Sequence, residues 1–435
     1  MIGDRIEVNI AGGLDIPLPR MINVRQKFQT SRLESVTRAI AEQFARPEVR
    51  AKIKSGARIA VGCGSRGVAN IAEAARAVVN EIKALGGQPF IFPAMGSHGS
   101  ATAEGQKGVL EGYGVVESYV GCPIRATMDT VQVGELADGT PVHIDRFASE
   151  ADGIVLMNRI KPHTNFRAPI ESGIVKMIGI GMGKIVGATT LHTHGMDRFD
   201  RILPEVARVV LAKKNFLLGI GLVENAHDET AIIEAIPAEQ LFERETELQA
   251  KAKSMMGKLM FDEIDVLVID QIGKNISGSG ADPNVTGRNI RGAVWEAKPK
   301  LQKIVMLSLT KETKGNATGM GAADVITMRM FKDVDLGPTY ANVITSAYLD
   351  GAAIPMIMNT DHDAIALAVK STLRVKPQDA RIIRIQNTLQ VTDIQVSEPL
   401  LAYVKQNPGK FEVLSDPEPF RFDASGKIVA LPHGH

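Results

Sequence analysis

Apolar and polar positions follow two different periods early in the chain. Residues 58–62 and 89–92 are mostly apolar, and such short runs are typical of buried strands. Between them, apolar residues recur every three or four positions over about residues 68–85, as expected for a helix packed on one side. The glycine pair at 86–87 ends this helix. The pattern predicts a strand-helix-strand unit, and therefore a parallel sheet covered by helices.

Similar apolar runs recur along the rest of the chain and predict further strands. They lie at residues 153–157, 216–220, 265–269, 303–307, 354–358 and 381–385. Helical patterns separate several of them, and a charged stretch over residues 239–258 predicts a solvated connecting helix. We therefore expect an α/β protein with two α/β domains and mainly parallel sheets. The expected domains are residues 1–262 and residues 263–435.

Composition narrows the classes of protein that this chain can belong to. Lys plus Arg number 50 and Asp plus Glu number 49, so no basic field is available to bind nucleic acid. The two cysteines, Cys63 and Cys122, do not form a disulfide framework and suit a reducing compartment. No secretory apolar segment and no run of about 18 apolar residues is present. We expect a cytoplasmic protein without a membrane segment.

The turn after the first predicted strand is rich in glycine. Residues 62–67 read Gly-Cys-Gly-Ser-Arg-Gly and fit the G-x-G-x-x-G pattern of dinucleotide-binding proteins. This makes an NAD-dependent dehydrogenase one hypothesis, although the next strand is not followed by the acidic residue that should bind a ribose. Ser65 and Arg66 favour a different anion, a phosphate or a carboxylate, at the helix N-terminus. A tight turn that only requires glycines is the remaining interpretation.

Several histidines and one lysine follow predicted strands or lie in apolar surroundings. His98 and His163 each come directly after a strand, where open α/β sheets place ligand-binding groups. An imidazole titrates near neutral pH, so both could exchange a proton with a substrate, or both could be ordinary turn residues. His192 and His194 form a His-x-His pair that could bind a metal. Lys176 lies in an apolar stretch, either as a reactive amine or with its ammonium at the surface.

Taken in order along the chain, these residues resemble the nickel-dependent lactate racemase family. The elements that carry the likeness are Ser65, Arg66, His98, Pro162-His163, Ser172-Gly-x-x-Lys176 and His192. The resemblance implies an active site in the cleft between two α/β domains. It also implies a nickel pincer nucleotide as cofactor, made by separate biosynthetic enzymes. The implied activity is that of an isomerase, a racemase or epimerase that inverts C2 of a 2-hydroxy acid by reversible hydride transfer.

The resemblance also implies a role for each matching residue. Lys176 would be the tether of the cofactor, with Lys184 as a competing candidate. His192 would be the nickel ligand, with His194 as a competing candidate. His98 and His163 would be the acid and base. The remaining candidates are Ser65, Arg66 and Gly67 for the cofactor, and Arg66, Lys274 and Arg288 for the substrate. The alternatives are an NAD-dependent 2-hydroxy-acid dehydrogenase and a non-catalytic protein that binds a sugar acid or a metal.

Overall fold

The computed structural model describes residues 5–64, 67–289 and 298–431. The chain forms two compact units. One unit is the continuous segment Thr30–Met256, and the other combines the residues up to Gln29 with the residues from Gly257 onward. This corrects the expected division into residues 1–262 and 263–435, because the N-terminal segment belongs to the second unit.

The strands and helices of the described residues are numbered here in chain order. The strands are β1 (Met21–Gln26), β2 (Arg58–Cys63), β3 (Gln88–Pro93), β4 (Thr130–Glu135), β5 (Pro141–Asp145), β6 (Gly153–Arg159), β7 (Phe216–Glu224), β8 (Thr230–Pro237), β9 (Val266–Ile269), β10 (Lys303–Met306), β11 (Val325–Thr327), β12 (Met356–Met358), β13 (Ile382–Ile385), β14 (Asp393–Ser397) and β15 (Phe411–Val413). The helices are α1 (Val36–Ala45), α2 (Pro47–Arg50), α3 (Ile71–Ala84), α4 (Ala103–Gly112), α5 (Glu117–Val120), α6 (Arg146–Glu150), α7 (Ile174–Lys176), α8 (Lys184–His192), α9 (Phe199–Lys213), α10 (Leu241–Met255), α11 (Pro283–Thr286), α12 (Met328–Lys332), α13 (Leu336–Ser346), α14 (Asp361–Lys370) and α15 (Leu401–Gln406).

A five-stranded sheet with the order β3-β2-β6-β7-β8 forms the centre of the unit Thr30–Met256. Its first four strands are parallel, and β8 pairs antiparallel with β7. The predicted strands at 58–62, 89–92, 153–157 and 216–220 are confirmed as parts of β2, β3, β6 and β7. A separate antiparallel pair, β4 and β5, was not predicted from the sequence.

The core of this unit follows from the strand and helix patterns. Ala74, Val78 and Ile82 of α3 are completely buried, as the helical spacing predicts, and they pack in one cluster with Val61 of β2 and Ile91 of β3. Strands that are covered on both faces bury every side chain, which explains their continuous apolar runs. Each fully buried aliphatic side chain contributes roughly 1.5–3 kcal/mol to the stability of the fold. Many such residues together can hold the polar carboxyl ends of the strands in place.

The carboxyl ends of β2, β3, β6 and β7 lie at the same edge of this sheet, because these strands are parallel. Along the chain, β3 is added on one side of β2 and β6 on the other side. The strand order therefore reverses between β2 and β6, and ligands of open α/β sheets bind at such a reversal point.

The other unit contains an eight-stranded sheet with the order β12-β11-β10-β9-β13-β14-β1-β15. The strands from β12 to β13 are parallel, and the remaining pairs are antiparallel. Val24 of β1 lies opposite Ile394 of β14 on one side and Val413 of β15 on the other. This double pairing is the physical reason that the N-terminal segment does not belong to the preceding unit. Both sheets confirm the α/β fold class.

Among the described residues, no single helix is long and apolar enough to cross a membrane. One pair of helical segments, Ile174–Gly181 and Lys184–His192, meets the length and composition criteria together, but it is bent by 104° at the break.

Candidate active site

The glycine turn after β2 is shaped by the neighbouring strand β6. A side chain at Gly64 would come within 2.1 Å of the Asn158 amide oxygen, so only glycine fits there. The Asn158 Nδ2 donates to the Gly173 carbonyl at 3.3 Å and thereby ties β6 to the start of α7. Gly67 has a φ of +45°, which also favours glycine. Ser65 and Arg66 lie outside the described residues.

A charged pair that the sequence analysis did not predict lies beside this turn. Glu224, at the end of β7, accepts the Ala69 amide at 2.7 Å and forms a salt bridge with Arg159, at the end of β6. Burial raises the pKa of Glu224, and the positive charge of Arg159 opposes that effect. The Arg159–Glu224 pair therefore holds the backbone after the glycine turn against the ends of β6 and β7.

His163 lies in a loop that closes on itself after β6. The Lys161 amide donates to the Ser172 carbonyl at 2.8 Å, which brings the two ends of the loop together. The His163 amide donates to the Glu171 carboxylate at 2.7 Å. The Asn165 amide donates to Nδ1 of the His163 ring at 3.0 Å, so a neutral ring carries its proton on Nε2. Burial lowers the pKa of His163 well below its usual value, and the charge of Lys176 lowers it further.

Lys176 is the last residue of α7, which begins just after this loop. The Val175 amide donates to the Glu245 carboxylate at 2.9 Å, so a side chain of α10 caps the start of the helix. The chain continues beyond Lys176 as a π-helix over Met177–Gly181. Lys176 is half-buried. A π-helical segment next to a candidate reactive side chain is a frequent feature of functional sites.

His192 ends α8 and lies within electrostatic reach of the same lysine. Burial lowers the pKa of His192 to about 4, and the second cause is the positive charge of Lys176. Both His163 and His192 therefore sense the charge of Lys176, and both are neutral at neutral pH. Two aromatic rings complete the group, because ring contacts run from His163 through Phe166 and Phe199 to His192 at centroid distances of 4.4, 5.8 and 5.3 Å.

His98 lies on the turn that follows β3, at the same sheet edge as His163. The Gly96 amide in that turn donates to the Gly181 carbonyl at 3.1 Å, which connects the turn to the π-helix after Lys176. Gln106 of α4 supports the turn by donating to the Gly96 carbonyl at 2.7 Å. The structure thus brings the backbone around His98 next to the lysine-bearing segment.

The two competing candidates, Lys184 and His194, contact other residues. Lys184 is completely buried, and its ammonium contacts the Asp145 carboxylate at 3.0 Å and the Pro93 carbonyl at 2.5 Å. His194 Nε2 lies 3.0 Å from the Thr140 hydroxyl. Lys176 and His192 therefore share an environment that Lys184 and His194 do not.

Comparison with known proteins gave matches to a family model and to solved structures. A protein-family model described as the lactate racemase N-terminal domain matches residues 14–199. Residues 14–199 therefore resemble the N-terminal domain of lactate racemases. The match to this family covers the glycine turn, both acid and base candidates, both lysines and both metal-ligand candidates.

Two solved structures align with this chain. The apoprotein of lactate racemase from Thermoanaerobacterium thermosaccharolyticum aligns with a TM-score of 0.51 and 14% identity, over 85% of this chain and 99% of that chain. A structural genomics target from Thermotoga maritima aligns with a TM-score of 0.44 and 14% identity, over 63% of this chain and 70% of that chain. No curated protein matches the sequence.

The two candidate substrate-binding residues of the second unit, Lys274 and Arg288, have different contacts in the structure. The Lys274 ammonium donates to the Gly278 carbonyl at 2.6 Å within the loop after β9. The Arg288 guanidinium forms a salt bridge with Asp324 and donates to the Gln302 carbonyl at 2.8 Å. Arg288 thus supports the fold of its own unit, and the substrate roles of Lys274 and Arg288 stay predictions.

The stretch 239–258 is the clearest error of the sequence analysis near the site. It forms the expected helix, α10, but the helix is not a solvated connection, because Glu245 and Gln249 are completely buried. Both residues share a helical stripe with Leu241 and Leu248, and this spacing was the signal in the sequence that could have indicated burial.

Among the described residues, no group of three or more His, Cys, Asp or Glu side chains could hold a metal ion.

Proposed function

We propose that this protein is a member of the lactate racemase family that inverts C2 of a 2-hydroxy acid and that it uses a nickel pincer nucleotide tethered to Lys176. The observation that supports this proposal is the shared environment of Lys176, His163 and His192, in which the charge of the lysine acts on both imidazoles. A site that contains one amine and two neutral imidazoles offers an attachment point, a metal ligand and a proton-transfer group.

The described residues fit the proposed cofactor. A nickel ligand has to be a neutral imidazole, and burial keeps His192 in that form at neutral pH. Lys176 is half-buried, so its amine can be reached, whereas Lys184 is completely buried. The group, when bound, supplies nickel and a ring that can accept and return a hydride. His192 would hold the nickel through its neutral imidazole, and the amine of Lys176 would hold the nucleotide.

The protein residues then hold the substrate and move its hydroxyl proton. His98 would accept the proton of the 2-hydroxyl as C2 loses hydride, and the same proton would return from His98 to the oxygen once hydride has returned to the other face of C2. The Asn165 amide occupies Nδ1 of His163, so the neutral ring donates a hydrogen bond from Nε2. The low pKa of His163 keeps the ring neutral, and it would act as the acid partner by donating this hydrogen bond to the substrate oxygen.

The decisive experiment combines mass spectrometry with isotope labelling. After co-expression with the cofactor-making enzymes, the intact mass should show an adduct that is lost in Lys176→Ala. A panel of 2-hydroxy acids in heavy water should then invert at C2 with little deuterium at carbon, because the hydride is returned to the same carbon. Extensive C2 deuteration, or bound pyridine dinucleotide without nickel, would overturn the proposal, and the dinucleotide result would support a dehydrogenase.

A further inference from the structure

Three polar side chains of α10 face the segment that carries His163 and Lys176. They are Glu245, Gln249 and Lys253, and we call them the α10 stripe. Their spacing of four residues places them on one face of the helix, one turn apart. Each of them forms a hydrogen bond or a salt bridge with residues between Ala168 and Val175.

The C-terminal half of the α10 stripe holds the His163 side of the segment. Lys253 lies 2.6 Å from the Glu171 carboxylate and donates to the Ala168 carbonyl at 3.0 Å. Gln249 accepts the Glu171 amide at 3.3 Å. Because Glu171 in turn accepts the His163 amide at 2.7 Å, the position of this histidine depends on contacts made by α10.

The N-terminal end of the stripe holds the Lys176 side. Glu245 accepts the amides of Ile174 and Val175, the two residues that precede Lys176. A side chain at Gly173 would come within 2.1 Å of the Glu245 carboxylate, which shows how closely the helix start approaches this group. The carboxyl group thus determines where α7 begins and where Lys176 leaves the helix.

A purely stabilising helix would be expected to bury apolar side chains in these positions. Instead, Glu245 and Gln249 are completely buried, and Glu245 Oε1 and Gln249 Nε2 have no hydrogen-bond partner among the described residues. Unpaired buried polar atoms oppose folding, so their presence favours a role beyond packing.

We propose that the α10 stripe positions Lys176 and His163 relative to each other, so that the tethered group and the acid/base ring meet at one substrate carbon. This inference rests on the proposed function and deepens it. Glu245, Gln249 and Lys253 are positioning residues, since none of them contacts the reacting atoms.

The first test measures the reactivity of the Lys176 amine in the cofactor-free full-length protein. Acetylation by an N-hydroxysuccinimide ester is followed by peptide mass spectrometry, with exposed Lys54 as the internal standard. Glu245→Met removes the acceptor for the two amides, and we expect the relative rate at Lys176 to rise about fivefold as the helix start loosens. Glu245→Gln keeps an acceptor oxygen and should restore the wild-type rate. Glu243→Met, on the exposed face of α10, is the matched control.

The second test addresses the other end of the stripe with a variant that keeps the buried residues intact. Lys253→Met removes the contact to Glu171, and carbethoxylation of His163 by diethyl pyrocarbonate should become about fivefold faster. Acetylation of Lys176 should stay at the wild-type rate, and exposed Lys251→Met should change neither rate.

The outcomes separate this inference from the proposed function. Equal rates at Lys176 in Glu245→Met and Glu245→Gln, or rate changes that follow the global free energy of unfolding, would overturn the positioning role. A wild-type protein that never carries an adduct would overturn the proposed function, and the labelling rates would still decide whether the stripe positions the two side chains.

Discussion

Lys184 and Asp145 form an ion pair in which both side chains are completely buried, with 3.0 Å between Nζ and Oδ2. Burial lowers the pKa of Lys184 and raises the pKa of Asp145, while the attraction between the two charges opposes both effects. The ammonium also lies 2.9 Å from the Gln106 side-chain oxygen. This pair connects the end of β5 to the start of α8 and identifies Lys184 as a structural residue.

Removal of the lysine from this pair should destabilise the protein strongly. Lys184→Met leaves Asp145 as an uncompensated buried charge, which typically costs about 3–5 kcal/mol of unfolding free energy. Urea denaturation should show this loss, and Lys184→Met combined with Asp145→Leu should recover a large part of it. The adduct should persist on Lys176 in every variant that folds. A folded Lys184→Met protein without the adduct would transfer the tether to Lys184.

Substitution of His192 and substitution of His194 should affect nickel retention differently. His192→Ala removes the imidazole that burial keeps neutral, so the nickel content of the cofactor-loaded protein should fall at least tenfold. His194→Ala removes the contacts with Thr140 and Asp138 and should retain the metal. Elemental analysis after gel filtration measures both. Nickel loss in His194→Ala alone would exchange the two assignments.

The stability of the protein should depend on pH through Glu245. Burial raises the pKa of this carboxyl to about 8, so the folded protein binds its proton over a pH range in which the unfolded chain has released it. Proton binding by Glu245 therefore stabilises the folded protein at pH 5, and this stabilisation is lost as the pH rises through 8. We expect wild type to lose about 3–4 kcal/mol between these values relative to Glu245→Gln.

Chemical denaturation of the two proteins at pH 5, 6.5 and 8 provides this comparison. The difference between them isolates Glu245, because all other titrating groups are shared. Parallel stability curves would show that Glu245 has a similar pKa in the folded and unfolded states.

Arg288 should affect stability rather than substrate binding. Its guanidinium is held by Asp324 and by the carbonyls of Ala322 and Gln302, at 3.2 and 2.8 Å for the two carbonyls. Arg288→Met should therefore lower the unfolding free energy by about 1–2 kcal/mol, with KM for the accepted hydroxy acid unchanged. Lys274→Met is the comparison variant. A large rise in KM in Arg288→Met with normal stability would restore Arg288 as a substrate residue.

Long apolar runs predicted the parallel core well, because strands buried on both faces carry a strong signal. The runs at 58–62 and 303–307 correspond to β2 and β10. Strand β1 was missed because its burial alternates, and its partners β14 and β15 lie almost a full chain length away. Local periodicity does not contain the information about which distant segments pair.

The sequence suggested candidate site residues, but it did not suggest the residues that support them. His163, Lys176 and His192 stand out by type and spacing, and the structure gives them a shared electrostatic environment. The buried state of Glu245 was not predicted, because charged residues on a helix usually face solvent. Only the tertiary structure shows that α10 turns this carboxyl toward the start of α7.

The position of β1 between β14 and β15 has a consequence for the order in which the protein can be assembled. Thr30–Met256 is contiguous and contains its whole sheet, so a ribosome can release it as a segment able to fold early. Strand β1 of the eight-stranded sheet has to wait without a partner until β14 and β15, which lie far later in the sequence, have been made. A fragment that starts at Gly257 would expose the facing edges of β14 and β15, and such open edges promote aggregation.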